Sequence, residues 1–451
     1  MSQAVAVKKK KKRSAGKKAL IAIITIVLIL AIIAGVFVLI GYIGNKANTE
    51  HARSLLTVTQ EDPLAAPVLD EETGYYTFTC DRTFKVLQLT DVHIGGGPLS
   101  IRKDGLAIDA VYKMVQMTRP DLIIITGDMA YPVPYASGSF NNLNPAKIFV
   151  EMMESIGVYW TIAYGNHDTE AYAFYTREQI SEYYSSISYN KNEKSHCLFY
   201  EIPEDEKVDG CGNYFINVKN SAGIITQSFI VFDSHSYKTG FLRDYDNIHP
   251  NQIEWYKSEI ARLDAINRSH GATKLFKSMA FFHIPLTEMQ DAFDELTDSG
   301  ANKAANGNYI FSDSANTKYL YGNIAEKPDS SGAVVYSGTG DDDVYETMQE
   351  IGSTQAVFFG HDHINNFAVL YKGNVEEEDS EYNGDVYDDY IQLTYGMSID
   401  YLAYFGIAKK TAQRGGTVIE VAPDGSFVSY AKRLIDGKEY RTPEDWNEIN
   451  K

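Results

Sequence analysis

Cysteine is scarce in this sequence, which has three cysteines among 451 residues. A metal site of four thiolates and a small fold held by several disulfides both require more cysteine than this. Cys197 and Cys211 could pair in an oxidising compartment, and the sequence leaves open whether they do. Any metal site in this chain is therefore expected to use oxygen and nitrogen ligands.

Positive charge is in the minority. Asp and Glu number 60 against 41 Lys and Arg, which gives a formal net charge of −19. A domain this acidic is poorly suited to nucleic acid, whose phosphates attract basic surfaces, so we expect no nucleic-acid binding. A nucleotide-binding loop is not indicated either, because the glycine run Gly95–Gly97 lacks the G-x-x-x-x-G-K-[ST] spacing. An anionic substrate stays possible, since bound metal ions would be the largest local charges.

One long apolar run, Ala19 to Ile43, lies near the N-terminus and follows eight Lys and Arg residues. It is long enough to cross a hydrocarbon core of ~30 Å as a helix. A cleaved signal peptide is the alternative, but its apolar region normally has only about 7–15 residues. By the positive-inside rule we expect residues 1–18 to be a basic cytoplasmic tail and 19–43 a transmembrane anchor. Residues 44–72 would then be a linker, and 73–451 a domain outside the cytoplasm.

Five short polar blocks each follow a run that resembles a buried strand. Because the carboxyl ends of parallel strands meet at one edge of a sheet, we expect these blocks to lie close together. The blocks are Asp91-Val92-His93, Gly127-Asp128, Gly165-Asn166-His167-Asp168, His283 and Gly360-His361-Asp362-His363. Each block alone has an ordinary explanation as a turn or a core histidine. Their occurrence in order, each after a strand, predicts a site.

The residue types in these blocks are those of a metal site. Carboxylate, imidazole and amide groups form a mixed oxygen and nitrogen set that suits Zn, Fe and Mn. Two such ions need a bridging carboxylate between them. Asp128 is the natural bridge, because the segments from Asp91 to Asp128 and from Asp128 to Asn166 are nearly equal and each fits a strand, a helix and a return strand. We therefore expect two divalent or trivalent ions.

The motif order D-x-H, G-D, G-N-H-D, H, G-H-x-H resembles that of the calcineurin-like metallophosphoesterase superfamily, which includes the purple acid phosphatases. The segments FFHIPL and GHDHINNF are similar to the purple acid phosphatase-related subgroup. The resemblance implies one metal held by Asp91, His93, Asp128 and His363, and a second held by Asp128, Asn166, His283 and His361. His167, oriented by Asp168, would be a catalytic imidazole that binds no metal. The implied fold is a four-layer α/β/β/α sandwich, here preceded by one transmembrane helix.

One departure from the purple acid phosphatases concerns Tyr131. Those enzymes bind a metal through the tyrosine of G-D-x-x-Y and lack the histidine of the first block, whereas this chain has both Tyr131 and His93. The two side chains would compete for one coordination position. We expect His93 to be the ligand, because neutral imidazole needs no deprotonation. Tyr131 would then form part of the site wall.

Helix-like segments alternate with the predicted strands, which predicts an α/β architecture. These segments are 101–118, 145–156, 250–267 and 342–351. Three later runs, at 366–371, 390–395 and 416–432, are typical of strands, and Pro423-Asp424-Gly425 marks a turn in the last. The C-terminal part is therefore expected to be rich in β-structure.

Together these features predict a membrane-anchored, extracytoplasmic phosphatase that hydrolyses phosphate monoesters by attack of metal-activated hydroxide. Its partners would be the phosphate-ester substrate and the membrane. Two alternatives remain open: a phosphodiesterase acting on nucleotides, lipids or wall polymers, and a non-catalytic, metal-stabilised surface binding protein. The sequence leaves open the substrate, the metal identity and the oligomeric state.

Overall fold

The computed structural model describes residues 15–238, 244–297, 309–329, 331–340, 342–373 and 390–449. Residues 1–14 of the predicted basic tail lie outside these ranges. In the described part the helices are α1 (Ala15–Arg53), α2 (Ile101–Thr118), α3 (Pro134–Ser137), α4 (Leu143–Ile156), α5 (Arg177–Ile187), α6 (Pro250–Ser269), α7 (Glu288–Thr297), α8 (Val344–Ile351) and α9 (Pro443–Ile449). Two 3-10 turns occupy Ile407–Lys409 and Thr411–Gln413.

The strands of the described part form two sheets. In chain order they are β1 (Val68–Leu69), β2 (Tyr76–Thr79), β3 (Phe84–Leu89), β4 (Leu122–Thr126), β5 (Tyr159–Ala163), β6 (Tyr214–Lys219), β7 (Ile225–Val231), β8 (Lys277–Phe281), β9 (Thr317–Tyr321), β10 (Thr354–Phe359), β11 (Ala368–Tyr371), β12 (Ile391–Tyr395), β13 (Gly415–Val421), β14 (Phe427–Arg433) and β15 (Glu439–Tyr440). The larger sheet has the order β1-β2-β6-β7-β8-β10-β12-β11-β9, and the smaller one β15-β14-β13-β3-β4-β5.

The two sheets pack face to face, and helices cover their outer surfaces. Phe84 on β3 and Phe229 on β7 stack across the interface with ring centroids 5.7 Å apart. Helix α2 packs against β3 and β13, and α8 against β10. On the same two outer surfaces, Phe149 of α4 contacts Trp160 of β5 in the smaller sheet, and Trp255 of α6 contacts Phe215 of β6 in the larger sheet. These layers confirm the predicted α/β/β/α class.

Parallel strands bring the polar blocks to one place. In the smaller sheet β3, β4 and β5 run parallel, and in the larger sheet β8, β10 and β12 do the same. A bridge between Thr90 and Ser398 joins the two sheets just beyond β3 and β12. The carboxyl ends of all six strands therefore meet, which is the edge where such folds place their sites.

The N-terminal helix is longer than the predicted anchor. Helix α1 has 39 residues and is long and apolar enough to cross a membrane. It does not end near Ile43 but continues to Arg53 through the first part of the predicted linker. Gly41, Gly44 and Ala52 are buried in this final section, where α1 packs on α2 and α4. The linker prediction therefore differs from the structure over residues 44–53, because tertiary packing stabilises a helix that local sequence did not indicate.

Candidate metal centre

Several predicted ligands occupy a strained backbone conformation. Asp91, His93, Asp128 and His361 have φ angles of 50°, 51°, 51° and 80°. They make up four of the seven described non-glycine residues with positive φ. Such conformations cost of order 1–3 kcal/mol each and concentrate at functional sites. The strain thus marks the strand ends where three of the five blocks lie.

The glycines of the motifs allow the blocks to approach one another. Gly127 has a φ of 85°, and a Cβ placed on it would lie 2.5 Å from Nδ1 of His283. A Cβ on Gly165 would overlap the carboxylate of Asp128. Any larger residue at either position would separate the ends of neighbouring strands.

The first predicted ligand group lies together and is buried. Asp91, His93, Asp128 and His363 present ligand atoms that all lie within 4.8 Å of one another. Nε2 of His93 is 3.3 Å from Oδ2 of Asp128, and Nε2 of His363 is 3.6 Å from Oδ1 of Asp91. The spacing is that of side chains arranged around a shared cation rather than bonded to each other.

Asp91 has one oxygen that no donor satisfies. Its Oδ2 accepts hydrogen bonds from the Thr90 hydroxyl at 2.8 Å and from the backbone N–H of His361 at 3.2 Å. Its Oδ1 is buried and has no hydrogen-bond partner. A buried carboxylate oxygen without a donor is costly unless a cation compensates it. This oxygen faces the first ligand group.

The second predicted ligand group converges on His283. Nδ1 of His283 donates to the carbonyl oxygen of Thr126 at 2.7 Å, so Nε2 is the nitrogen that a metal would bind. Three further oxygen or nitrogen atoms surround this Nε2. They are Oδ2 of Asp128 at 3.2 Å, Oδ1 of Asn166 at 3.2 Å and Nδ1 of His361 at 3.3 Å.

The orientation of the Asn166 amide follows from its other contact. Its Nδ2 donates to the hydroxyl of Tyr237 at 2.9 Å, so Oδ1 is the atom that faces His283. Four potential ligand atoms therefore converge, an arrangement that a metal cation would stabilise. The donor set fits a borderline-hard ion such as Zn, Fe or Mn.

Asp128 belongs to both groups. Its Oδ2 is the atom that approaches both His93 and His283, at 3.3 and 3.2 Å. Its Oδ1 accepts the backbone N–H of His167 at 2.8 Å, so Oδ2 is the oxygen that faces both ligand groups. Although burial opposes ionisation, the nearby His283 and His167 hold the pKa of Asp128 well below its usual range. The geometry is that expected of a bridging carboxylate.

Electrostatics keep one histidine neutral, as a metal ligand must be. Burial and the neighbouring His283 hold the pKa of His361 well below its ordinary value. Burial also lowers the pKa of His283, but the charge of Asp128 outweighs it and raises that pKa to about 9. The carboxylate thus creates a strongly negative local field, which favours a bound cation.

His167 lies beside the two ligand groups and belongs to neither. Its Nδ1 is 2.7 Å from Oε1 of Glu170, which leaves Nε2 as the nitrogen for other chemistry. The predicted orientation of His167 by Asp168 is wrong. The Asp168 carboxylate instead accepts the backbone N–H groups of Asp128 at 3.0 Å, Ala130 at 2.7 Å and Gly165 at 2.8 Å. Both its oxygens are bound to the backbone, so Asp168 positions the two ligand loops.

The hydroxyl of Tyr131 has a backbone partner outside the two predicted ligand groups. Its hydroxyl donates to the carbonyl oxygen of Ala403 at 3.2 Å. Its ring packs edge-on against His93 and His167, with centroids 4.6 and 4.7 Å away. Burial raises the pKa of the Tyr131 hydroxyl, which disfavours the phenolate that would bind a metal. Tyr131 is therefore in the position of a wall residue.

Sequence reasoning missed Asp400, Glu170 and Tyr237. Asp400 is buried and follows β12, so the rule that a polar residue after a strand marks the site would have identified it. Glu170 stands three residues after His167 in the same loop, a spacing that could have suggested a contact. For Tyr237 the sequence carries no comparable signal, because its contact with Asn166 depends on how two loops meet.

The sequence was compared with known families and proteins. Residues 84–365 match the family model described as calcineurin-like phosphoesterase. A relative named probable inactive purple acid phosphatase 28, from Arabidopsis thaliana, is 26% identical over 315 residues, which cover 66% of this chain and 69% of the relative. Phosphatase DCR2 from Saccharomyces cerevisiae is 27% identical over 308 residues, which cover 64% of this chain and 46% of the relative.

Two solved structures are similar at low sequence identity. A dimetal phosphatase from Danio rerio covers 80% of this chain and 100% of its own length, with a TM-score of 0.45 and 10% identity. A purple acid phosphatase from yellow lupin seeds covers 82% of this chain and 55% of its own length, with a TM-score of 0.41 and 13% identity.

Proposed function

This chain belongs to the calcineurin-like phosphoesterase family and is a hydrolase of phosphoric ester bonds, and we propose that it is a membrane-anchored phosphatase acting on monoesters. The purple acid phosphatase-related subgroup, expected from the motifs, is borne out by the relatives that match. The proposal concerns the metals, the residues that act, the substrate class and the location.

One observation carries the proposal: Oδ2 of Asp128, Oδ1 of Asn166 and Nδ1 of His361 all converge within 3.3 Å of Nε2 of His283. A core network would alternate donors and acceptors, because each buried acceptor needs a donor. A metal cation at the centre of this set would satisfy all four atoms at once. Oδ2 of Asp128 extends the same argument to a second cation beside His93.

Each group of residues in the site has its own proposed role. Asp91, His93, Asp128 and His363 would hold one ion, and Asp128, Asn166, His283 and His361 would hold the other. Bound there, two ions would lower the pKa of a water molecule and offset charge on the phosphoryl group. His167 protonates the leaving oxygen through Nε2 while Glu170 holds its Nδ1. Asp168 holds the loops of Asp128 and Gly165 together by accepting a backbone N–H from each.

Catalysis is favoured over mere metal binding by His167. A site that only stabilised the fold would have no use for an imidazole that is outside both ligand groups and is held by a carboxylate. Three relatives from Arabidopsis thaliana carry the words "probable inactive" in their names. In this chain all seven predicted ligands are present and meet, so we infer an active centre.

The location follows from the N-terminal helix. The apolar part of α1 would cross the membrane, and the eight basic residues before it would stay in the cytoplasm. The catalytic domain would then lie on the opposite side. Cys80, Cys197 and Cys211 are buried free thiols in the structure, so the proposal does not depend on a disulfide.

The test is hydrolysis by the purified full-length chain in detergent, assayed with Zn, Mn, Fe and Mg against panels of phosphate monoesters and diesters. We expect metal-dependent hydrolysis that is at least about tenfold faster for monoesters. A preference for diesters would make the protein a phosphodiesterase. Full metal occupancy without hydrolysis of either class would make it a metal-stabilised binding protein.

A further inference from the structure

Exposed apolar side chains concentrate around the metal centre. Outside α1, thirteen large hydrophobic side chains are exposed in the described part of the chain. Seven of them lie in the segments that follow the strand-end blocks and Asp400. One of the seven, Tyr404, stacks on His363, and we call the other six the apolar rim. The apolar rim consists of Leu99, Tyr135, Phe140, Tyr172, Phe174 and Phe405. An exposed apolar patch of this kind marks an interaction surface.

The apolar rim extends along connected loops. Phe140 stacks on Phe174 and meets Tyr172 edge-on, both with ring centroids 6.1 Å away. The backbone N–H of Leu99 donates to Ser137 at 2.9 Å. Phe405 protrudes fully from the loop that begins at Asp400. Leu99, Phe140, Tyr172 and Phe174 therefore lie on one side of the domain, in segments that follow the proposed ligands along the chain.

Helix α1 leaves the domain on this same side. Gly138 lies against Phe37 of α1 and against Pro98 and Leu99. A groove of about 730 Å³ separates α1 from the domain, and its lining includes Phe37, Phe140 and Phe174. The apolar rim is thus continuous with the apolar surface of the helix that would cross the membrane.

The join between α1 and the domain is rigid. Nδ2 of Asn45 donates to the carbonyl oxygen of Gly96 at 2.8 Å, and Nδ2 of Asn48 to that of Ile101 at 3.0 Å. A Cβ on Gly44 would overlap the side chain of Ile101, so the helix sits tightly on α2. With a rise of about 1.5 Å per residue, the end of the apolar run is only about 3 Å from Asn45. Gly96, three residues after His93, would therefore lie at the membrane boundary.

The charges near this boundary suit lipid headgroups. Lys46 and Lys147 both line the groove beside Phe140 and Phe174. Lys46 is 65% exposed and lies 3.8 Å from Glu50. Lysines at the edge of an apolar surface extend their ammonium groups toward lipid phosphates while aromatic rings occupy the interface.

We propose that the apolar rim rests on the surface of the membrane that α1 crosses, so that the metal centre opens toward the headgroups and acts on phosphate monoesters of lipids. The choice of substrate rests on the phosphatase function proposed above, whereas the contact of the rim with the bilayer does not. The helix would hold the domain against the bilayer, and the apolar rim would rest on the lipid surface. A lipid could then present its phosphate to the metal centre without leaving the bilayer.

The contact is tested by fluorescence in full-length protein reconstituted into phospholipid vesicles. The variants Phe140→Cys and Phe174→Cys are labelled with an environment-sensitive dye, since the native cysteines are buried. Val428→Cys, exposed on β14, is the matched control. We expect lipids with brominated acyl chains to quench the first two labels and not the control. Quenching of the first two labels only by aqueous iodide would overturn the proposed contact.

The substrate is tested by comparing phosphatidic acid in vesicles with a soluble aryl phosphate. In Phe140→Glu/Phe174→Glu the ratio of lipid to aryl hydrolysis should fall at least about tenfold, because two apolar contacts with the interface are lost. Val428→Glu should keep the wild-type ratio. Aryl hydrolysis without any lipid hydrolysis would refute the lipid substrate and leave the phosphatase function intact. Hydrolysis of neither substrate would refute the phosphatase function, and the quenching result would still decide the contact.

Discussion

Nδ1 of His93 lies 3.1 Å from Oδ1 of Asp400, and the other oxygen of the same carboxylate lies 3.2 Å from Nδ1 of His363. One buried carboxylate thus faces the outer nitrogens of two proposed ligands to the same metal. Such a partner fixes the tautomer and the orientation of each imidazole, so that Nε2 points to the ion. Asp400 is therefore a positioning residue.

Asp400→Asn should weaken metal binding without removing any ligand. We expect a 10–100-fold loss of affinity for the ion held by His93 and His363, the usual cost of losing such a partner. Titration of the metal-free protein by calorimetry measures this directly. Asp205→Asn, at an exposed carboxylate, is the control and should bind like the wild type. Unchanged affinity in Asp400→Asn would show that the contact has no influence on the metal.

Asp128→Asn should lose both ions and nearly all hydrolysis together. Oδ2 of Asp128 approaches both His93 and His283, so its charge would balance both cations. The amide keeps the shape of the side chain but removes that charge. Metal analysis and turnover measured on the same preparation check the prediction. Two ions per chain together with near wild-type turnover would contradict the bridged centre.

His167→Ala should keep both metals and lose activity. The proposed ligands are untouched, but the rate should fall by about 10²–10⁴, the usual contribution of a positioned acid. The loss should be largest for alkyl phosphates, whose leaving groups need a proton most, and smallest for activated aryl phosphates. Glu170→Gln should give a smaller loss of the same kind, because Glu170 holds Nδ1 of His167. If His167→Ala hydrolysed both substrate classes at the wild-type rates, the proposed role of His167 would be refuted.

Asp104 makes the stability of the fold depend on pH. Its carboxylate accepts the backbone N–H of Gly95 at 2.8 Å and the hydroxyl of Ser100 at 2.8 Å. Burial nevertheless raises the pKa of Asp104 to about 7. The folded state therefore keeps a proton that the unfolded state releases near pH 4, and this group costs stability as the pH rises from about 4 to about 7.

Asp104→Asn is neutral at every pH and avoids that cost. The free energy of unfolding of the variant, relative to the wild type, should increase from about pH 4 to about pH 7, by at most about 4 kcal/mol, and then level off. Denaturant unfolding in detergent across this pH range gives the free energy of unfolding of the variant and of the wild type. The contributions of other titrating groups cancel when the two free energies are subtracted. A difference that stays constant with pH would show that Asp104 is not protonated in the folded protein.

The topology of the chain can be tested on intact cells. The helix continues to Arg53 and packs on α2 and α4, so the first exposed segment for a protease is 54–66. We expect external protease to cut the chain there, so that the catalytic domain runs as a separate fragment on a denaturing gel, while the mature chain of untreated cells keeps its N-terminus. A secreted form that begins after residue 43 would instead establish a cleaved signal peptide.

The amino-acid sequence determined the strands and the blocks that follow them. Buried strands such as 122–126 are continuous apolar runs, and Gly-Asp or Gly-Asn-His-Asp directly after such a run is a local pattern. Because parallel strands end at one edge, position in the sequence was enough to predict which side chains would meet. The fold class followed from the same alternation of strands and helices.

Only the tertiary structure decided the contacts between distant segments. Asp400 meets His93 because β12 of the larger sheet ends beside β3 of the smaller one. Asp168 binds backbone amides of its own and a neighbouring loop, and Glu170 takes the place beside His167 that sequence reasoning gave to Asp168. Helix α1 extends past its apolar run because packing, rather than propensity, stabilises its last turns. Local sequence determines the hydrophobic periodicity of strands and helices and the positions of turns. The hydrogen-bond partners of residues in different loops depend instead on how the layers of the fold pack.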